Sequence, residues 1–252
     1  MTLSIEKRTH KPPRILIYGP PKVGKSTFGS LAPNPVFIQT EDGLDAIEAP
    51  AFPLAESFTQ VLQFLGELAT ETHDFKTLVV DSTDWLERLI HAQVAKENNV
   101  KSIEGIGYGR GYLMALDHWK QYIDCINYLR DNKDMMIIQI AHTHIKRFDN
   151  PETDSYDRYQ IKMHEKASAM IMEHSDIILF ANHLVGVKKE QEGFSKRARA
   201  VGSGDRVLFS QERPAFVAGN RFGIPEEIPF DKDGAYWNVI ASHVPYFNNK
   251  GE

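Results

Sequence analysis

The stretch that most constrains the fold is residues 14–27, RILIYGPPKVGKST. A short apolar run leads into Gly19, and four residues separate it from Gly24, which is followed by Lys25 and Ser26. This spacing is typical of a phosphate-binding loop, because the glycines let the backbone wrap a polyphosphate and the helix that follows directs unpaired amides at the anion. The alternative is a chance Gly-Lys-Ser turn, but the flanking strand and helix patterns favour a nucleoside triphosphate site.

The residue types in this stretch predict particular contacts. Lys25 would meet the β- and γ-phosphates, the Ser26 hydroxyl would bind Mg²⁺, and Thr27 would reach the α-phosphate. The predicted nucleotide contacts are Gly19, Pro20, Pro21, Lys22, Val23, Gly24, Lys25, Ser26 and Thr27.

Composition bounds the rest of the chain. With 252 residues, 42% of them hydrophobic, the chain can bury one core as a single α/β domain over residues 14–252. No apolar run approaches about 18 residues and the first residues lack a signal-peptide pattern, so we expect a soluble, cytoplasmic protein with no membrane partner. The single cysteine, Cys125, rules out an intramolecular disulfide. A net charge of −5 leaves only local clusters for nucleic-acid binding.

Residues 1–13 form a polar N-terminal arm that ends in Pro12 and Pro13. The arm is either flexible or adds a strand to a neighbouring subunit's sheet through Leu3 and Ile5. The sequence leaves both options open.

Three polar side chains stand at or just beyond the ends of predicted buried strands, namely Glu41, Asp81 and His142. The carboxyl ends of parallel strands face the ligand crevice, so we expect Asp81 to hold Mg²⁺ through a water and His142 to reach a γ-phosphate. Helix capping is the alternative for Glu41 and Asp81. For His142 the alternative is a metal site shared with other histidines (His144, His164, His174).

Two polar segments are predicted to be loops. Residues 101–112, KSIEGIGYGRGY, contain four glycines, two tyrosines and Arg110, which suits contact with single-stranded nucleic acid, although a plain connection is equally compatible. Residues 143–166 lack a core pattern, and a loop of that length in a compact domain is usually functional or disordered.

The C-terminal third predicts antiparallel strands over 184–189 and 197–209. This stretch is the most basic in the chain, and it is either a solvated hairpin or a phosphate contact (Lys188, Lys189, Lys196, Arg197, Arg199, Arg206). Further on, Arg221 lies among small, turn-forming residues, as expected of an arginine inserted into a neighbour's nucleotide site. A final helix is predicted over 235–244.

Several of these segments together resemble the RecA/RadA class of P-loop ATPases, most closely the phage-encoded RecA-core proteins of single-strand annealing. The resemblance runs from Gly19 to about Gly223 and rests on the phosphate loop, VFIQTEDGLD, LVVDS, SIEGIGYGRGYLMAL, MIIQIAH and RFG. It implies one RecA-like domain: a mostly parallel twisted sheet flanked by helices, with an antiparallel C-terminal hairpin. It also implies ATP and Mg²⁺ as cofactors and Glu41 as the residue that polarises the attacking water.

The resemblance further implies that His142 senses the γ-phosphate and that segments 101–112 and 143–166 are DNA-binding loops. Their cations are the predicted DNA contacts (Arg110, Lys146, Arg147, Arg158, Lys162). The implied partners are single-stranded DNA, further copies of the chain in a filament or ring, and a single-stranded DNA-binding protein.

Arg221 resembles the end of a lysine-asparagine-arginine motif through which one subunit contacts its neighbour's ATP. Gly219 stands where related proteins would have lysine, so Arg221 is the main cation in trans, with Arg213 as a substitute contact to nucleotide. Because such a finger contributes about 10³ to 10⁵ in rate, the loss of one cation implies a slow ATPase.

Two alternatives share the phosphate loop. One is a hexameric helicase or branch-migration motor of the same core. The other is a small-molecule kinase, which would need an arginine-rich lid; here the long polar segment has as many carboxylates as cations.

Overall fold

The computed structural model describes residues 9–192 and 195–248, with the side chains of 185–203 outside the description. The strands are β1 Arg14–Gly19, β2 Pro35–Gln39, β3 Thr77–Asp81, β4 Met136–Phe148, β5 Tyr156–Ile161, β6 Ile177–Glu192, β7 Ser195–Phe209, β8 Gly219–Asn220 and β9 Glu227–Pro229. The helices are α1 Lys25–Ser30, α2 Phe58–Thr70, α3 Thr83–Glu97, α4 Arg110–Asn132, α5 Glu165–His174, α6 Tyr236–His243 and α7 Pro245–Asn248.

The strands form one sheet in the order β2-β3-β4-β1-β6-β7-β9. The first five strands in this order run parallel, whereas β7 is antiparallel to β6 and β9 is antiparallel to β7. Parallel strands joined through helices are buried on both faces, which explains their near-continuous apolar sequences. The carboxyl ends of β1, β2 and β3 therefore meet at one end of the sheet, next to His142 of β4, which pairs with Gly19.

Alternate residues of β1 pack against different layers. Leu16 and Tyr18 join the core under the long helices, whereas Ile15 and Ile17 join a second core around Phe28 of α1. This two-residue alternation follows from the pleat of a strand. The second core closes against the C-terminal helix α6, where the Trp237 indole donates a 3.1 Å hydrogen bond to the Phe28 carbonyl oxygen. The sheet is thus covered on both faces.

Helix α2 illustrates why the covering helices form where the sequence predicts them. Its apolar residues recur every three to four positions, and Phe58, Val61 and Leu65 are buried against the sheet. The Ser57 hydroxyl caps the helix by accepting a hydrogen bond from the Gln60 amide.

The prediction of a loop over residues 143–166 is wrong. Strand β4 continues past Ala141 to Phe148 and pairs antiparallel with β5, from Thr143↔Ile161 to Phe148↔Tyr156. The backbone hydrogen bonds are satisfied across the hairpin, so the side chains there need no core pattern. Because the residues of this projecting hairpin are charged and exposed, the sequence has no apolar periodicity there that would predict a strand.

Segment 101–112 is only partly a loop. Residues Ile103–Gly105 form a 3₁₀ turn with Ile103 buried, and α4 already begins at Arg110. A Cβ on Gly111 would lie 2.6 Å from the Ile103 side chain, so this glycine permits close packing. The exposed part of the segment carries Tyr108 and Arg110.

The outer side of β2, the edge strand of the sheet, already forms hydrogen bonds with residues 50–52. The amide of Phe37 donates to the Pro50 carbonyl oxygen (2.8 Å), and the amide of Phe52 donates back to Phe37 (2.9 Å). This edge therefore has no free row of hydrogen-bonding groups for an added strand. Of the N-terminal arm, residues 1–8 lie outside the described part of the chain.

The predicted C-terminal hairpin is present, since β6 and β7 pair antiparallel from Phe180↔Phe209 onward. Strand β6 begins at Ile177, before the predicted strand over 184–189, and has a shift of register between His183 and Val185. Most of the basic side chains of this hairpin fall within residues 185–203 and outside the description. Arg206 is described and lies beside the phosphate-binding loop.

Candidate functional site

The phosphate-binding loop, residues 20–24, joins β1 to α1 at the carboxyl edge of the sheet. A Cβ on Gly19 would lie 2.2 Å from the Ala181 carbonyl oxygen, and one on Gly24, with φ of 111°, would lie 2.7 Å from the Arg206 guanidinium. Lys22 is also left-handed, with φ of 64°. The first glycine is thus needed for close strand packing and the second for a backbone shape that other residues rarely adopt.

The Lys25 side chain is folded back over this loop. It is 5% exposed, and its ammonium donates to the carbonyl oxygens of Gly19 (3.1 Å) and Pro20 (3.0 Å). Burial lowers the pKa of Lys25, while the neighbouring carboxylates Asp81, Asp84 and Glu41 oppose that shift. A cation held in this way at the centre of the loop can bind a polyphosphate.

Ser26 and Asp81 come from different elements and meet at the site. The Ser26 hydroxyl donates a 2.6 Å hydrogen bond to Oδ2 of Asp81 at the end of β3. Burial raises the pKa of Asp81, and the Ser26 bond and the Lys25 charge counter this. A hydroxyl and a carboxylate beside a phosphate cradle are the oxygen ligands that Mg²⁺ takes, so these residues fit the ion.

His142 lies between two carboxylates at the same edge of the sheet. Its Nδ1 atom is 3.1 and 3.2 Å from the two oxygens of Asp84, and its Nε2 atom is 3.8 Å from Oε1 of Glu41. Burial raises the pKa of Glu41, and the nearby His142 opposes this. The structure thus places Glu41, Asp81 and His142 at the same end of the sheet as the phosphate-binding loop.

Sequence reasoning missed Asp84 and Arg206. Asp84 lies in the first turn of α3, where a carboxylate is ordinarily explained by the helix dipole. Arg206 donates to the Val23 carbonyl oxygen from a position 183 residues away, and the sequence marks it only as part of a basic hairpin. Neither contact can be predicted from the residues that neighbour Asp84 or Arg206 in the sequence.

The two arginines predicted to act in trans pair with carboxylates that are not part of the nucleotide site. Arg221 has a side chain 64% exposed, with Nη1 3.5 Å from Asp176, which directly precedes β6. Asp176 lies at the amino end of the parallel strands, about 16 Å along β1 from the phosphate loop at their carboxyl end. The Arg213 guanidinium is held by Glu226 and Glu227 of its own chain. A Cβ on Gly219 would meet nothing within 4 Å, so a larger residue there would not clash at its Cβ.

The predicted DNA contacts separate into exposed and buried side chains. Arg110, Lys146, Arg147 and Lys162 are exposed. Arg158 is 8% exposed, pairs with Glu212 and donates to the Phe216 carbonyl oxygen (3.3 Å). Burial and pairing remove Arg158 from the side chains available to a phosphate.

The histidines considered for a metal site are dispersed in other contacts. The His174 ring bonds to Asn127 over 2.8 Å, and the His164 ring stacks on Tyr112. Among the described side chains, those of residues 9–184 and 204–248, no group of three or more histidine, cysteine or acidic residues is arranged to hold a metal ion. In the same ranges, every helix is too short or too polar to cross a membrane.

A family model described as an AAA domain matches residues 11–222. The chain belongs to this family of AAA domains. The match covers the phosphate-binding loop and each strand end that contributes to the site. This AAA domain is therefore a P-loop ATPase that binds ATP and Mg²⁺.

The AAA domain has the predicted α/β RecA-like P-loop fold, with a mostly parallel sheet and antiparallel strands on its C-terminal side. The crystal structure of the RadB recombinase is similar to it at 16% sequence identity, with a TM-score of 0.48. That similarity covers 89% of this chain and 90% of the other. No curated protein matches the sequence.

Proposed function

We propose that this AAA domain is an ATP- and Mg²⁺-dependent single-stranded DNA-binding protein of the phage recombination and annealing type, in which bound nucleotide controls the grip on DNA. The observation that carries the proposal is the path of β4. His142 lies beside Glu41 at the ATP site, and the same strand continues to Lys146 and Arg147. Lys146 is only about 13 Å from His142 along the strand.

The far part of β4 has the chemistry of a single-strand binding surface. His144, Lys146 and Phe148 alternate along the strand and therefore share one face of the hairpin. This hairpin face lines a cavity of about 780 Å³ together with Arg147, Gln160 and His164. Cations bind the phosphate backbone and an aromatic ring stacks on an unpaired base, largely without sequence preference.

At the ATP site each residue has a separate task. Lys25 binds the β- and γ-phosphates, and Ser26 and Asp81 hold Mg²⁺, which when bound neutralises developing charge on the phosphates. Glu41 orients the attacking water. Because His142 contacts Glu41 and begins the exposed part of β4, a change at the γ-phosphate shifts the hairpin face. DNA binding is then tight with ATP and loose with ADP.

The proposed assembly is a homo-oligomer with ATP between adjacent copies. Arg221 supports this arrangement, because it is exposed at the edge of the sheet opposite its own phosphate loop. Copies stacked head to tail would place it at a neighbour's ATP. Such heterologous contacts build either a ring or a filament.

The decisive test measures binding of a fluorescein-labelled oligo(dT) by anisotropy with ATP analogue, with ADP and without nucleotide. We expect the tightest binding with the analogue. In the double variant Lys146→Ala with Arg147→Ala, the slope of log affinity against log salt should flatten by about 1.4, because two phosphate contacts are lost. The matched control is Lys120→Ala with Lys133→Ala on and just after α4. Equal affinity in all nucleotide states, or an unaltered double variant, would refute the proposal.

Annealing is tested separately with two complementary labelled strands, whose pairing should accelerate in the presence of the protein and ATP. Unwinding of a forked duplex without annealing would instead favour the motor. ATP hydrolysis that single-stranded DNA fails to stimulate would favour a small-molecule kinase.

A further inference from the structure

We propose that Asp84 is the positioning residue that fixes the ring of His142, so that Nε2 of the imidazole faces Glu41. The inference rests on the proposed ATPase roles of Glu41 and His142. It adds a residue of α3 to a site that is otherwise built from the phosphate loop and the strand ends.

One carboxylate holds His142 at two points. Oδ1 of Asp84 accepts a 3.0 Å hydrogen bond from the backbone amide of His142, and both Asp84 oxygens lie within hydrogen-bond distance of the ring Nδ1. The Asp84 side chain is almost completely buried. With backbone and ring tied to the same group, rotation of the imidazole would break hydrogen bonds in a place where water cannot replace them.

The protonation state of Asp84 decides the tautomer of the ring. Burial raises the pKa of Asp84, but its hydrogen bonds with His142 outweigh burial and hold the pKa below its ordinary value. An ionised carboxylate only accepts hydrogen bonds, so Nδ1 of the ring must carry a proton. In the neutral ring, the lone pair is then on Nε2, on the side of Glu41.

The same helix contains another carboxylate, Glu97, which pairs with a histidine of α4 and serves as an internal control. Glu97, at the far end of α3, lies 2.9 Å from Nε2 of His118. That pair is on the protein surface and far along the helix from the ATP site. Removing its charge should disturb the local contact and leave catalysis unchanged.

The first experiment reads the tautomer of His142 from long-range ¹H–¹⁵N spectra of the intact protein at neutral or alkaline pH. We expect the Nδ1–H form in the wild type. In Asp84→Asn, the amide oxygen would accept from the backbone and the NH₂ group would donate to Nδ1, which should switch the ring to the Nε2–H form. The signals of His142 are assigned by their loss in His142→Asn.

The second experiment compares steady-state ATP hydrolysis in wild type, Asp84→Asn and Glu97→Gln. We expect kcat of Asp84→Asn to fall about 10- to 100-fold, as is usual when the partner that orients a functional histidine is removed. KM and ATP affinity should change much less than kcat, because Asp84 acts on Lys25 only through its charge and forms no hydrogen bond with Lys25 or Ser26. Glu97→Gln should match the wild type.

An Nε2–H ring in the wild type would overturn the inference without any variant, and so would an unchanged kcat in folded Asp84→Asn. If the wild type hydrolyses no ATP, the proposed function fails, and the tautomer of His142 alone decides whether Asp84 positions the ring.

Discussion

The Nη1 atom of Arg206 donates a hydrogen bond to the Val23 carbonyl oxygen over 3.0 Å, which ties β7 to the phosphate-binding loop. The same guanidinium lies 5.3 Å from the centre of the Phe230 ring. Gly24, next to Val23, has no side chain to displace it. The shape of the loop therefore depends on a strand near the other end of the chain.

Arg206→Ala should weaken ATP binding about tenfold and lower the free energy of unfolding by about 1–3 kcal/mol, because it removes a hydrogen bond from a charged donor. Isothermal titration with an ATP analogue and urea unfolding measure the two effects. Arg213→Ala is the matched control, since that guanidinium is occupied by Glu226 and Glu227. An equal loss in both variants would mean that Arg206 has no special role in the loop.

Lys25→Ala should lose about 2–5 kcal/mol of ATP-binding free energy, the usual cost of removing one partner of a buried charge pair. Titration with a fluorescent ATP analogue measures the loss, and Lys120→Ala controls for loss of a lysine on the surface. Undiminished nucleotide affinity in Lys25→Ala would contradict the assignment of the phosphate loop.

Glu41→Gln should retain ATP binding and lose turnover about 10²- to 10⁴-fold, the range usual for loss of a general base. The amide keeps the shape of the side chain but cannot polarise water in the same way. Phosphate release measured beside nucleotide affinity separates the two effects. Retained turnover would exclude Glu41 from catalysis.

The parallel half of the fold could be predicted from sequence because its signals are local. Buried strands such as β3 are continuous apolar runs, and Asp81 ends that run where the sheet places a ligand residue. The phosphate loop is similarly defined by residues that adjoin in the chain. In these places, neighbouring residues carry the structural information.

The rest depends on contacts between distant residues. The outer part of β4 is stabilised by pairing with β5 rather than by burial, so its charged sequence has no strand periodicity. Asp84 joins the site only because β4 brings His142 against α3. The two residues are 58 positions apart in the sequence. The pairing of Arg158 with Glu212 likewise joins residues 54 positions apart. A one-dimensional pattern does not contain these pairings.

Glu87 predicts a pH dependence of stability. Burial raises the pKa of Glu87 to about 7. The His164 amide, 3.0 Å from the Glu87 oxygens, lowers this pKa, whereas the nearby Asp84 charge raises it. Between the ordinary value of 4.5 and 7, the folded state holds the proton that the unfolded state has lost. This contribution therefore favours folding below about pH 4.5 and is lost as the pH rises to 7, with an upper limit of about 3 kcal/mol.

Glu87→Gln should remove that contribution, because the amide stays neutral and can still accept from His164. Urea unfolding of both proteins at pH 5 and pH 8 measures it as a difference of differences. Glu97→Gln, on the exposed end of α3, should keep the wild-type dependence. If the unfolding free energy of Glu87→Gln changes between pH 5 and pH 8 as much as that of the wild type, a group other than Glu87 causes the pH dependence.

Arg221 tests whether the ATP site is shared between two copies of the chain, since the phosphate loop of its own copy is at the other end of the parallel strands. Arg221→Ala alone should lower kcat about 10³-fold or more if the guanidinium acts as a finger in trans. Lys25→Ala alone should also be inactive. In a mixture of the two variants, some interfaces pair the intact loop of one copy with the intact Arg221 of the next, so ATP hydrolysis should reappear and reach a maximum near equal proportions. A mixture that stays inactive although the subunits co-assemble would show that Arg221 does not complete a neighbour's site.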